Sequence, residues 1–144
     1  MAIAQAMCTS FKEDLFQKEQ DLDSDTIKIA LYTSSASLGA ATTAYTTSGE
    51  VASGSGYTTG GETLTNPVIG TSGTTAYVDF DNPEWTSASF TTAGALIYNK
   101  TVYDADNTKG SIAVLNFGGD FTVTSGTFRI VFPSPGAAGL IRID

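Results

Sequence analysis

From residue 26 onward, apolar and polar positions alternate in short runs, each closed by Gly, Pro, Asn or Asp. Thr26-Ile-Lys-Ile-Ala-Leu-Tyr32 is the clearest, because Ile27, Ile29 and Leu31 fall on one side with the period of two that marks a half-buried strand. Thr63 to Ile69, Thr74 to Phe80, Ser89 to Tyr98, Ser111 to Phe117, Gly126 to Phe132 and Ala138 to Ile143 read the same way. No helical pattern alternates with these runs, which excludes a parallel α/β sheet. The expected class is all-β: a β-sandwich of about seven strands, jelly-roll or Ig-like, with a short N-terminal helix.

The period differs before residue 26. Ile3, Met7, Phe11 and Leu15 recur every four residues, and Ser10 with Glu13 has the spacing of a capping box, predicting a helix over 10–20. Residues 1–25 therefore read as an N-terminal arm bearing an amphipathic helix, and 26–144 as the sandwich, which is expected to fold without residues 1–20. Thr33 to Gly61 is small, polar and Gly-rich, with Tyr45 and Tyr57 as its aromatic residues. It predicts a long exposed loop over 33–61, and loops of that length in compact domains are usually functional or ordered by a partner. The candidate interface residues are thus Ile3, Met7, Phe11 and Leu15 on the arm, and Tyr45 and Tyr57 on the loop.

Composition supports strands and narrows the partners. Ser and Thr make up a quarter of the chain and charged residues 15%, so long charged helix formers are scarce while β-branched and turn residues abound. The net charge of −8, without any basic cluster, excludes a phosphate-backbone binder, whose affinity comes from Lys and Arg displacing counterions. No apolar run approaches the roughly 20 residues needed to span a bilayer, and the start of the chain lacks the basic and long apolar regions of a signal peptide. Synthesis and folding in a cytoplasm are expected. Cys8 is the only cysteine, so no intrachain disulfide forms, and its apolar neighbours predict a buried thiol.

Catalytic chemistry is scarce. The chain has no His, which removes the commonest general base, the Ser-His and Cys-His nucleophile pairs and most catalytic zinc sets. Asp79, Asp81 and Glu84 beside Trp85 could in principle cleave a glycosidic bond, but a strand end and turn closed by Asn82-Pro83, with Trp85 in the core, accounts for them more simply. Asp21-Leu-Asp23-Ser-Asp25 begins like a calcium loop yet has Thr26 where the turn glycine belongs and Tyr32 where the closing Glu belongs. Asp104-Ala-Asp106-Asn107 reads as a solvated loop. Tyr45, Tyr57, Trp85, Tyr98 and Tyr103 could stack on sugar rings, though half-buried strand aromatics are commoner. No catalytic residue, metal or cofactor is expected.

Taken together, several segments resemble a family of small structural proteins of tailed bacteriophages. They are Cys8-Thr-Ser-Phe-Lys12, Ile27-Lys-Ile-Ala-Leu-Tyr-Thr-Ser-Ser-Ala36, Thr42-Thr-Ala-Tyr45, Gly49-Glu-Val51, Gly56-Tyr57, Gly60-Gly61, Leu96-Ile-Tyr-Asn99, Ala113-Val-Leu-Asn-Phe-Gly118 and Phe128-Arg-Ile-Val-Phe-Pro133. The resemblance spans most of the chain and departs from the family before the first strand, where Lys18-Glu-Gln-Asp21 replaces a frequent Gly and His. It implies a location in the virion. A head decoration or cement protein is then the expected role: self-associating as a homo-oligomer, a trimer first, and contacting the major capsid protein. A tail or fibre component binding host-surface glycans is the alternative.

Overall fold

The structure, a computed structural model, describes residues 2–144. It is all-β and sandwich-like, with two antiparallel sheets. The larger sheet runs in the order β1 (Ala6–Met7), β7 (Ser111–Arg129), β6 (Glu84–Asn99), β2 (Ile27–Tyr32), β3 (Glu62–Thr63). The smaller runs β4 (Val68–Ser72), β5 (Thr75–Asp79), β8 (Ile141–Ile143). Two helices complete it: α1 (Thr9–Phe16) and α2 (Lys100–Ala105).

The centre of the molecule is the inner half of β6. Ala93 to Asn99 are buried without interruption because β2 covers one edge, from Ile27↔Asn99 to Tyr32↔Gly94, and β7 covers the other. A strand flanked on both sides and covered on both faces reads as a continuous apolar run, which Leu96-Ile97-Tyr98 is. The outer half, Glu84 to Thr92, pairs only with Phe121 to Arg129, making a two-stranded ribbon with bulges on either side of Ala88. Such a ribbon is marginal alone. Here Tyr57 covers it from the preceding excursion, its ring 6.5 Å from Trp85 and 5.9 Å from Phe90, while the Ser89 N–H donates to Ser55 O at 2.8 Å.

Several boundaries differ from those expected, each for a local reason. The run Thr63 to Ile69 is split at Asn66-Pro67. Asn66 adopts φ 54° and proline cannot donate to a ladder, so the halves join different sheets as β3 and β4. The two runs from Ser111 to Phe132 merge into β7, with Gly118, Gly119 and Ser125 at positive φ absorbing the irregularities. α2 was not anticipated. It starts because the Asn99 side chain accepts from the Val102 N–H at 3.1 Å, capping a turn where β6 ends.

The first 25 residues are woven into the sandwich and do not form an arm outside it. Ile3 bridges Leu38, β1 pairs with β7, and the Cys8 N–H donates to Ile112 O at 2.8 Å. Cys8 is fully buried, which pushes its thiol pKa up through desolvation, and Phe11 and Leu22 lie in the core. The four-residue stripe is therefore cut into a bridge, a strand and a helix. α1 covers Thr9–Phe16, not 10–20, and its N-cap is Cys8 without a side-chain cap bond, because Ser10 Oγ instead meets Ser111 Oγ at 3.0 Å. Lys18 at φ 62° ends the helical course.

The polar excursion 33–61 is exposed over about half of its length, as expected, but it is anchored to the sandwich at intervals. Ala36, Leu38, Val51 and Tyr57 are buried, and Thr33 N–H to Gly49 O (2.8 Å) and Val51 N–H to Leu31 O (2.9 Å) fasten it across the end of β2.

Candidate functional site

The six residues singled out as an interface part company in the structure. Ile3 is half-buried over Gly94, and Met7 is half-buried on β1. Phe11 and Tyr57 are each 2% exposed. These two face the chain's own interior, so they have no surface left for another chain, and their reading as contacts is corrected. Phe11 lies in the core on α1, and the Tyr57 ring covers the β6–β7 ribbon. Tyr45 is half-buried, stacked on Tyr98 with ring centroids 4.8 Å apart and edge-on to Tyr103 at 5.5 Å. Leu15 is half-buried on α1.

Tyr45 and Tyr57 nevertheless meet, around a residue that carried no signal in sequence. Glu50 accepts from Tyr45 Oη at 2.6 Å on Oε2, and from Tyr57 Oη at 2.7 Å and the Gly60 N–H at 2.8 Å on Oε1. Tyr57 Oη in turn accepts from the Leu31 N–H at 2.9 Å, and Tyr98 Oη donates to Gly60 O at 2.8 Å. A single carboxylate thus ties the middle of the excursion to its C-terminal end, which Tyr57 and Gly60 fasten to β2 and β6. Burial first, and Glu50 second, through its hydrogen bonds to Tyr45 and Tyr57 and its charge toward Tyr32 and Tyr98, hold these four phenols above the usual tyrosine range. Each carboxylate oxygen of Glu50 accepts from a donor of the same chain, which makes this cluster a clamp.

Met7 and Leu15 lie on a different surface, shared by α1 and β8. Phe16, at the end of α1, is 93% exposed; Ile143 on β8 and Ile69 on β4 are 52% and 56% exposed. Two grooves flank this ridge. One, of ≈ 470 Å³, runs between α1 and the small sheet past Leu22, Ile69, Val78 and Ile141; the other, of ≈ 540 Å³, lies between Met7, Lys12, Phe16 and β8. Leu15, Arg142 and Ile143 line both, so the two form one continuous apolar surface. Contiguous exposed apolar area of this kind marks an interaction site more often than scattered surface leucines do. The sequence signal was the period of Leu15 within α1. It could not single out Phe16, and Ile143 read only as one more strand residue.

Each of the three catalytic candidates is engaged by groups of its own chain. Asp79 is buried and accepts from the Phe80 N–H at 2.9 Å and the Leu140 N–H at 3.3 Å; Asp81 accepts from Asn66; Glu84 pairs with Arg129 at 3.4 Å. Trp85 is 2% exposed in the core, its indole N–H without a partner, so its ring offers no platform for a sugar. Asp21 Oδ1 accepts from the N–H groups of Asp23 and Ser24, and Asp25 from Asn99 Nδ2 at 2.7 Å, which commits them to the turn before β2 and to a buried Asn99–Gln20–Asp14 chain. Asp104 holds Lys100 one helical turn away, and Asp106, its carboxyl lowered by hydrogen bonds from Thr108, closes the turn after α2. Among the described residues no group of three His, Cys, Asp or Glu side chains is placed to hold a metal ion, and no helix is long and apolar enough to cross a membrane.

The exposed large apolar side chains Phe16, Ile69 and Ile143 thus lie along the α1/β8 ridge, apart from the hydrogen-bonded carboxylates. No family model, curated protein or solved structure matches the chain.

Proposed function

We propose that the chain is a structural protein of a tailed-bacteriophage particle, a head decoration or cement protein that self-associates and seats on the major capsid protein. The observation that carries this reading is the contrast between its two kinds of side chain. The candidate catalytic carboxylates and the Glu50 cluster are engaged by donors of the same chain, while the α1/β8 ridge leaves Phe16, Ile69 and Ile143 open to solvent. A protein of this build works by docking. The segments that resemble phage structural proteins supply the place where it docks.

A glycan-reading tail component draws less support, because Trp85, Tyr57 and Tyr98 are each 2% exposed or less and cannot stack on a ring from outside.

Quantitative mass spectrometry of purified particles tests the proposal. A ratio to the major capsid protein near one, or a simple fraction of it, is the expected result. A few copies per particle would move the chain to the tail, and its absence from particles would overturn the virion reading.

A further inference from the structure

The proposal that the chain self-associates leaves open how two copies meet, and the charges around the α1/β8 ridge bear on that. The chain has seven cations against fifteen carboxylates. Three of the cations, Lys12, Lys18 and Arg142, line the two grooves beside Phe16 and Ile143, and Asp21 is the one carboxylate that lines them. None of the three cations forms an ion pair among the described residues, where the pairs are Lys100–Asp104 and Arg129–Glu84. The α1/β8 ridge of an acidic protein thus carries a rim of three unpaired cations against one carboxylate.

A two-fold contact through this ridge would set the rim against its own image. Like charges brought together at an interface cost several kcal/mol and suppress that pairing. Removing three cations and one carboxylate leaves four cations and fourteen carboxylates in the rest of the chain, two of them, Asp14 and Asp79, buried, so the same rim laid on a different face of a second copy meets a region where carboxylates outnumber cations. We infer that the α1/β8 ridge docks a second copy of this chain head to tail, Phe16 and Ile143 supplying the apolar centre and Lys12, Lys18 and Arg142 pairing with carboxylates on a different face of the neighbour. A heterologous contact of this kind closes into a ring when its rotation permits and otherwise continues as a filament. Closed rings of three or more satisfy it; a symmetric dimer does not.

This inference rests on the self-association part of the functional proposal and is independent of where the protein is located. It is tested by sedimentation of the full chain over a concentration series at low and high salt, with Phe16→Asp and Arg142→Glu beside the parent and circular dichroism confirming that each is folded. The expected result is an assembly larger than a dimer that weakens as salt rises, with each substitution raising the apparent dissociation constant by about tenfold or more. A second variant, Phe16→Cys, is examined under mild oxidation. Efficient disulfide-linked dimers through residue 16 would mean a two-fold contact and overturn the inference. So would a chain that stays monomeric throughout, or an assembly indifferent to both charge and Phe16. If association fails while particle mass spectrometry still finds the chain in stoichiometric amounts, the head-to-tail contact falls and the virion reading stands.

Discussion

The excursion 33–61 and the helix α1 each depart from what their sequences suggest. The excursion is polar, glycine-rich and without a strand, yet Tyr57, Leu38 and Val51 are buried in it and its backbone is tied to β2, β6 and β7. The helix is amphipathic and its apolar side should be covered, yet Phe16 is the most exposed large apolar residue among those described. Order in the first region comes from saturated hydrogen bonds around one carboxylate. Openness in the second comes from a strand, β8, only three residues long, which leaves the ridge beside it uncovered. A polar, largely exposed segment can therefore still be fastened to the core where a few buried side chains and hydrogen-bond partners hold it.

The sharpest way to break this comparison is to remove the first region's support. Deleting residues 2–16 takes out β1, α1, Cys8 and Phe11 and uncovers β7. Truncating one buried Phe costs about 3–5 kcal/mol, against a total stability of about 5–15 kcal/mol for a domain. The truncated chain is expected to lose its cooperative thermal transition. A retained transition would show that 1–16 is an arm after all.

Gly61→Ala is next. At φ 81° a Cβ there would lie 1.8 Å from Ile29 O, so β2 itself must shift to admit it. Strain at a left-handed position plus a backbone clash gives an expected loss of about 3–5 kcal/mol in urea unfolding. By contrast Gly73, also at positive φ but with nothing near a Cβ, should lose only the cost of the φ angle, about 1 kcal/mol. Equal losses at the two positions would mean that the excursion is not clamped to β2.

Glu50→Ala tests the clamp chemically. It leaves the Tyr57 hydroxyl and the Gly60 N–H without their acceptor, an expected loss of about 2–4 kcal/mol, with Glu50→Gln intermediate because its amide oxygen can still accept. The tyrosines add a pH dependence whose sign follows from their raised phenols. In the unfolded chain tyrosine ionises near about 10, while the clustered phenols stay protonated when folded. Above that pH the unfolded chain binds fewer protons, so stability falls as pH rises and the contribution is complete only below the unfolded value. Urea midpoints measured across the alkaline range should decline, and Glu50→Gln, which removes the charge that helps raise the phenols, should make the decline shallower. An unchanged slope would separate Glu50 from the tyrosines.

These effects bear on what could be read from the chain alone. The all-β class, a strand at β2, the buried Cys8 and a core Trp85 followed from period and composition, but β2 is buried on both faces, Ala30 and Tyr32 included, and is not the half-buried strand its alternation predicts. The clamp did not follow. Glu50 sits between Gly49 and Val51 in a stretch where every neighbour is small, and nothing local says that Tyr45, Tyr57 and the Gly60 N–H converge on it. Long-range hydrogen bonding leaves no periodic trace. The same holds for the ridge: α1 and β8 lie at opposite ends of the chain, and only the fold sets Phe16 and Arg142 along one groove.

The smallest effect expected on stability is also the one that separates the two readings of α1. Phe11 and Phe16 belong to the same eight-residue helix, one 2% and the other 93% exposed. Phe11→Ala should cost about 3–5 kcal/mol, since it empties a packed site, whereas Phe16→Ser removes almost nothing that folding buries and should change stability by about 0.5 kcal/mol or less. If the ridge serves docking, Phe16→Ser leaves the melting temperature of the dilute chain unchanged while lowering its concentration dependence, because a partner that binds only the folded state raises apparent stability by mass action. A substantial loss in dilute solution would instead mean that Phe16 is covered within its own chain, and the contrast between an anchored excursion and an open helix would disappear.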